Sequence, residues 1–343
     1  MIMRAAFLTA PGTFELRDVP RPRPGPGQVL VRVRSCGICG SDLELFAGSF
    51  PPPAVCPGHE ISGEVVEFDG EVRGIEVGDR VVVEPLVVCG SCPACRVGNY
   101  QICNKIEFLG ISRDGGFAEY VALPRERVYH LPAEFDFAVG GLAEPAAVCV
   151  HGVRLGSVGL GDRVLVLGAG TIGLLSVMAA RAAGAAEVAI TARYAHQAEM
   201  ARRVGATHVF PANPEGAQAR AEFARDHPPD VVLQTAGGEG KTLNEAIESV
   251  RPGGTVVLLG IFPSKPSCNA LSLVVKEVRL VGSLTYGRRD RRADFELALQ
   301  MMASNAPSVR DLVTHRFELE RIGDAFEAAA DKKRGTIKVA VTQ

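Results

Sequence analysis

Four cysteines, Cys89, Cys92, Cys95 and Cys103, crowd one stretch, CGSCPACRVGNYQIC, at a C-x2-C-x2-C-x7-C spacing. Thiolates are soft ligands, and four of them satisfy the tetrahedron that zinc takes. A set that supplies all four ligands leaves no position for water or substrate, so the spacing is that of a structural ion fixing a loop with little apolar core. Clustered thiols also serve in disulfides, in redox exchange and in zinc ribbons that touch nucleic acid. The nine cysteines are an odd number, and the start, MIMRAAFLTAPGTFELRDV, lacks the pattern of an export signal. A cytoplasmic, reducing setting is therefore expected, and it favours metal over disulfides. The 37 basic and 39 acidic residues give a net charge of −2, which removes the easy electrostatic case for nucleic acid or an anionic membrane.

A second constellation is spread more widely. SCGICGSDLELF carries Cys39, CPGHEISGEVV carries His59 and Glu60, and LAEPAAVCVHGV carries Glu144. One thiolate, one imidazole and one carboxylate suit a zinc site with one position left open for chemistry. Taken singly each is weak, since a lone cysteine is usually a small core residue. Cys36, Cys56, Cys149 and Cys268 are read in that way, as core or near-core. His151, seven residues after Glu144, returns to nearly the same helical face, and packing is the preferred reading for it.

The third feature is LGAGTIG, in which Gly168, Gly170 and Gly173 enclose Thr171 and Ile172. Between an apolar strand and a helix, this G-x-G-x-x-G seats a dinucleotide pyrophosphate on the helix N-terminus. An NAD enzyme ends the next strand on Asp or Glu, which binds the ribose hydroxyls. Here that strand ends in Ala192, Arg193 and Tyr194. No carboxylate repels a 2′-phosphate and an arginine is available to pair with it, so NADP is expected over NAD.

These residues need a scaffold. QVLVRVRSC, EISGEVVEF and GDRVVVEP read as short strands of a β-rich, barrel-like domain. From DRVLVLGAG onward, strands alternate with helices through TIGLLSVMAARAAG, EVAIT, HQAEMARRVG, THVF, PEGAQARAEFARD, DVVLQTA, KTLNEAIESV, GTVVLLG and VRLVGSL. Six strands alternating with helices predict an α/β, doubly wound, parallel sheet. RADFELALQMMAS and LERIGDAFEAAADKK are helices, TIKVAVT is a closing strand, and this tail is expected to rejoin the first domain. The division is 1–152 completed by 291–343, with 153–290 as the Rossmann dinucleotide-binding domain.

In this order, C-G-I-C-G-S-D, G-H-E, the cysteine loop and the glycine loop closely resemble the zinc-containing medium-chain alcohol dehydrogenases over essentially the whole chain. The resemblance implies a GroES-like catalytic domain, a structural zinc on the four cysteines and a catalytic zinc on Cys39 and His59. Glu60 matches the carboxylate beside that histidine. Glu144, followed by proline, resembles the polyol and sugar dehydrogenase branch, in which this carboxylate binds zinc directly or through water; the choice between Glu60 and Glu144 stays open. Ser41 matches the hydroxyl that takes the proton of the alcohol. Glu44 stands where many relatives have a histidine. Leu259 and Gly260, in LLGIF, resemble the nicotinamide-contacting segment, and Lys338 matches a basic residue for the pyrophosphate.

The implied activity is hydride transfer between NADP(H) and an alcohol or carbonyl of a polyol, sugar or related compound, in a homotetramer or homodimer. A short-chain secondary alcohol or ketone dehydrogenase, a zinc-free quinone or enone reductase, a non-catalytic NADP-binding protein and a zinc-ribbon nucleic-acid binder are the competing readings.

Overall fold

A computed structural model describes every residue except 71–72, 238–239 and 263–264. The chain divides into two compact units. The first comprises Met1–Glu144, Gly287–Leu299 and Val309–Gln343, and the second comprises Pro145–Tyr286 and Gln300–Ser308.

The first unit is built on a seven-stranded sheet. Val313–Glu318, Lys338–Thr342, Gln28–Gly37, Glu60–Phe68, Arg80–Val83 and Val128–His130 follow one another in space, and Tyr120–Pro124 pairs with Gln28–Gly37. Alternation within Gln28–Gly37 puts Val29, Val31 and Val33 into a core shared with Ile61, Val65, Phe117, Val121 and Phe326. A hairpin, Ile2–Ala10 with Thr13–Pro20, was not anticipated from the sequence. Neither was the strand Val313–Glu318, whose one-in, one-out burial marks it as half-exposed.

The second unit holds six parallel strands in the order His208–Pro211, Glu187–Ala192, Arg163–Leu167, Val231–Gln234, Thr255–Leu258 and Arg279–Gly282. This is the 3-2-1-4-5-6 order of the dinucleotide-binding sheet, whose ligand lies beyond the strand C-termini where the order reverses. Val164–Leu167 and Val231–Leu233 are buried as continuous apolar runs, as expected for strands covered on both faces.

The boundaries differ from those expected at three places, one of them the return to the first unit, which falls at 286/287 rather than 290/291. Residues 300–308 belong to the second unit, where the Ser308 hydroxyl donates to the Arg203 carbonyl. The first boundary falls at 144/145, inside the helix Ala143–Leu155, because the later part of that helix packs on the nucleotide sheet. The Cys149 thiol donates to the Ile172 carbonyl there, and Gly152 abuts Leu259 so closely that a Cβ would meet its side chain at 2.8 Å. Among the described residues no helix is long and apolar enough to cross a membrane.

Candidate metal and nucleotide sites

The four-cysteine lobe is the most compact assembly. The ligand atoms of Cys89, Cys92, Cys95 and Cys103 all lie within 4.8 Å of one another. The Cys89 sulfur is 3.5 Å from that of Cys103 and 4.0 Å from that of Cys95. A tetrahedron with Zn–S bonds of about 2.3 Å has S···S edges of about 3.8 Å, so the spacing fits zinc. The protonation chemistry agrees. Backbone N–H groups of Ser91 and Cys92 bring the Cys89 thiol down to about 6. Burial and the neighbouring Cys92 push Cys95 up to about 12. Four thiolates this close need a cation before the last proton leaves.

The second constellation is assembled from three segments. Cys39 caps the helix Gly40–Phe46, and its N–H donates to Asp42 Oδ2 at 2.9 Å. The other Asp42 oxygen lies 3.7 Å from Nδ1 of His59, beyond direct hydrogen-bond length. Asp42 and His59 are both buried, at 2% and 4% exposure, and His59 Nδ1 has no hydrogen-bond partner among the described residues. Phe108 packs edge-on to the imidazole, 5.4 Å between centroids. Burial works against a positive charge on His59, yet Asp42, Cys39 and Glu144 together hold its pKa well above that of free imidazole. A thiol and two carboxylates thus act electrostatically on one ring, a set whose chemistry suits a divalent cation. Glu144 is buried at the start of the helix Ala143–Leu155.

Glu60 behaves differently. Its carboxylate accepts from the Lys338 ammonium at 2.6 and 2.7 Å, and the same ammonium donates to the Ile38 carbonyl at 2.9 Å. Burial opposes the charge on Lys338, but Glu60, Cys39 and Glu144 outweigh it and raise its pKa. The expected pyrophosphate contact for Lys338 is therefore corrected. The side chain is buried in the first unit, and its ammonium is already spent on Glu60 and Ile38. With Glu60 so engaged, the ligand atoms of Cys39, His59, Glu60 and Glu144 are not gathered as tightly as the four cysteines.

Ser41 is the second residue of the Gly40–Phe46 helix and half-buried. Glu44, on the same helix, accepts the Ser49 hydroxyl at 2.6 Å, while the Ser49 N–H donates to the Glu44 carbonyl. This local bond ties Glu44 to the turn that ends the helix. Cys36, Cys56 and Cys149 are buried as expected, whereas Cys268 is exposed, a correction to its core reading. His151 is 8% exposed, within the helix that begins at Ala143.

In the second unit, Gly168 has φ +110°, and a Cβ on Gly173 would stand 1.8 Å from the Gly168 carbonyl oxygen. Gly170 caps the helix Thr171–Ala182, and a Cβ there would meet nothing within 4 Å. The first and third glycines serve the chain itself, and the second leaves the open space a pyrophosphate needs. Ala192 ends its strand buried, and Arg193 is exposed with no side-chain partner among the described residues. Tyr194 caps the helix Ala195–Arg203, where Gln197 accepts from the N–H groups of Arg193 and Tyr194. The N–H groups of Leu259 and Gly260 both donate to the Gln234 carbonyl.

Asp42, Gly37 and Gln234 were missed by sequence reasoning. Asp42 had a signal, an acidic residue three positions after Cys39, where it reaches the free N–H groups of the helix start. Gly37 had none, because its reason lies across the sheet. A Cβ there would sit 1.9 Å from Glu60 Oε2.

Comparison with known proteins agrees with this architecture. Residues 25–133 match the alcohol dehydrogenase GroES-like domain, and residues 171–304 match the zinc-binding dehydrogenase domain. The chain is 34% identical to an L-threonine 3-dehydrogenase of Pyrococcus horikoshii, covering 98% of this chain and 97% of that protein. It is 35% identical to the sorbitol dehydrogenase of Bos taurus, over 96% and 93%. A putative zinc-binding dehydrogenase from Sinorhizobium meliloti, solved bound to NADP, superposes with a TM-score of 0.85 at 35% identity, covering all of both chains. The chain belongs to the zinc-containing medium-chain alcohol and polyol dehydrogenase family, and it is a zinc-dependent oxidoreductase acting on small-molecule alcohols.

Proposed function

We propose that this dehydrogenase interconverts a secondary hydroxyl and a ketone on a polyol, sugar or related hydroxy compound, with NADP(H) preferred, and that it carries two zinc sites per chain. The observation that carries this reading is buried His59 held under the charges of Asp42, 3.7 Å away, and of Cys39 and Glu144. Cys39, His59 and Glu144 would hold the reactive zinc, since Glu60 is already claimed by Lys338. Cys89, Cys92, Cys95 and Cys103 would hold the structural one. When bound, zinc supplies Lewis acidity toward the substrate oxygen and nicotinamide supplies the hydride exchange.

The protein supplies the rest. Asp42 faces Nδ1 of His59 and so leaves Nε2 for the metal, the arrangement in which an outer carboxylate fixes the ring and raises its basicity. Ser41, two residues from Cys39, would relay the proton of the substrate hydroxyl during oxidation, its oxygen accepting that proton as its own hydroxyl proton passes on to water, and would run the relay in reverse during reduction. Glu60, neutralised by Lys338, adds no free negative charge beside the metal. Gly168, Gly170 and Gly173 admit the pyrophosphate, and Arg193 pairs with the 2′-phosphate. Leu259 and Gly260, held on Gln234, border the nicotinamide. A homodimer or homotetramer is part of the same reading. The test is a panel of polyols, sugars and ketones assayed with both cofactors on zinc-loaded protein; turnover of none of them with either cofactor would reject it.

A further inference from the structure

Glu84 is a fully buried carboxylate outside both sites described above. It follows the strand Arg80–Val83, and its N–H donates to the Arg127 carbonyl at 2.7 Å. Its side chain accepts from the Arg127 guanidinium on one oxygen and from the Tyr129 hydroxyl, at 2.9 Å, on the other. Each of those partners reaches a different structure. The Arg127 guanidinium lies 4.6 Å from the ring centroid of Tyr100, which stands in the cysteine lobe between Cys95 and Cys103. The Tyr129 ring stacks on Phe295, 4.9 Å between centroids and 21° between planes.

Phe295 is the second residue of the helix Asp294–Ser304, at the end of the segment by which the chain returns to the first unit. That segment is closed by two bonds between Gly287 and Asp294, at 2.8 and 2.9 Å. The lobe also touches it directly. The Arg288 N–H donates to the Gly98 carbonyl at 2.8 Å, and a Cβ on Gly98 would stand 2.2 Å from the Arg288 carbonyl oxygen. One buried carboxylate thus sits under both the lobe and the return segment, which also grip each other.

We infer that Glu84 is a positioning residue that couples the metal state of the four-cysteine lobe to the order of the return segment Gly287–Phe295. The inference rests on the reading that the four thiols hold a metal. Without the ion the four thiols no longer tie the lobe together, and the Gly98 carbonyl and Tyr100 ring lose their fixed places. With the ion, Glu84 transmits that fixed geometry through Arg127 and Tyr129.

The test is hydrogen exchange of the full-length protein, zinc-loaded and zinc-stripped, in wild type and Glu84→Gln. Cobalt substitution reports thiolate ligation through its charge-transfer band. In wild type, stripping raises exchange at the Arg288 and Asp294 amides by about tenfold or more. In Glu84→Gln those amides exchange fast even when loaded, stripping adds less than about twofold, and the cobalt band is retained. An equal rise on stripping in both proteins overturns the coupling. Absence of a thiolate–cobalt band in wild type overturns it together with the metal reading, and so identifies which of the two failed. Where Glu84→Gln does not fold, Tyr129→Phe removes one bond only, and the return segment must still loosen in the loaded protein; unchanged exchange there rejects the inference.

Discussion

The ammonium of Lys338 sits 2.6 and 2.7 Å from the two oxygens of Glu60, so the last strand of the chain neutralises the residue that follows His59. Both side chains are buried, at 4% and 0% exposure. Removing one member of a buried ion pair strands the other charge and costs about 3–5 kcal/mol, whereas replacing both members costs far less. Lys338→Met is expected to lose about that much, and Lys338→Met with Glu60→Gln to recover most of it. Urea unfolding measures both, and equal losses would show that the pair is not coupled.

Asp42→Asn keeps the shape of the carboxylate but removes the charge that faces His59. Loss of such an outer partner typically weakens metal binding about 10–100-fold. The expected result, by chelator competition, is a weaker site at Cys39 and His59 with the cysteine lobe unchanged. Unaltered affinity at both sites would exclude this role for Asp42.

Arg193 is exposed and carries no ion-pair partner among the described residues, and Ala192 offers no carboxylate. A charge-assisted bond to a 2′-phosphate is worth about 1.5–3 kcal/mol. Arg193→Ala is expected to lower kcat/KM with NADP by about 10- to 100-fold and leave the NAD value near its original level. Adding Ala192→Asp shifts the preference further towards NAD. An unchanged NADP/NAD ratio would count against the assignment.

Asp230 gives a pH-dependent prediction. Burial pushes its carboxyl up, but the Arg163 N–H and the Arg251 guanidinium, at 2.8 and 2.7 Å, outweigh it and lower the pKa. A carboxylate lowered in the folded state stabilises above its unfolded pKa, near 4, and loses that contribution as pH falls through the folded value. Asp230→Asn should therefore cost about 1 kcal/mol at pH 7, after allowance for solvent screening. The difference from wild type should shrink below about pH 4. Thermal unfolding across that range decides it, and a penalty that persists at low pH contradicts the assignment.

Much of the scaffold was legible because its signals are local. The strand–turn–helix around Gly168 and the alternation in Gln28–Gly37 each sit within a few residues. The cysteine lobe was legible for the same reason, as spacing alone brings its four sulfurs together. What escaped the sequence depends on partners far along the chain. Lys338 and Glu60 are 278 residues apart, and burial between strands rather than any motif turns one onto the other. The boundary inside Ala143–Leu155 was hidden because one continuous helix serves two units. The hairpin Ile2–Ala10 with Thr13–Pro20 has a second strand that is largely exposed, so it gives no clean apolar alternation to read.

The absent side chain at residue 37 sets a boundary for engineering. Glu60 Oε2 occupies the space that a methyl group would need there. Library designs that vary this part of the site to admit new substrates must keep residue 37 as glycine. Even alanine would evict the carboxylate from Lys338 and set a bare negative charge loose beside His59.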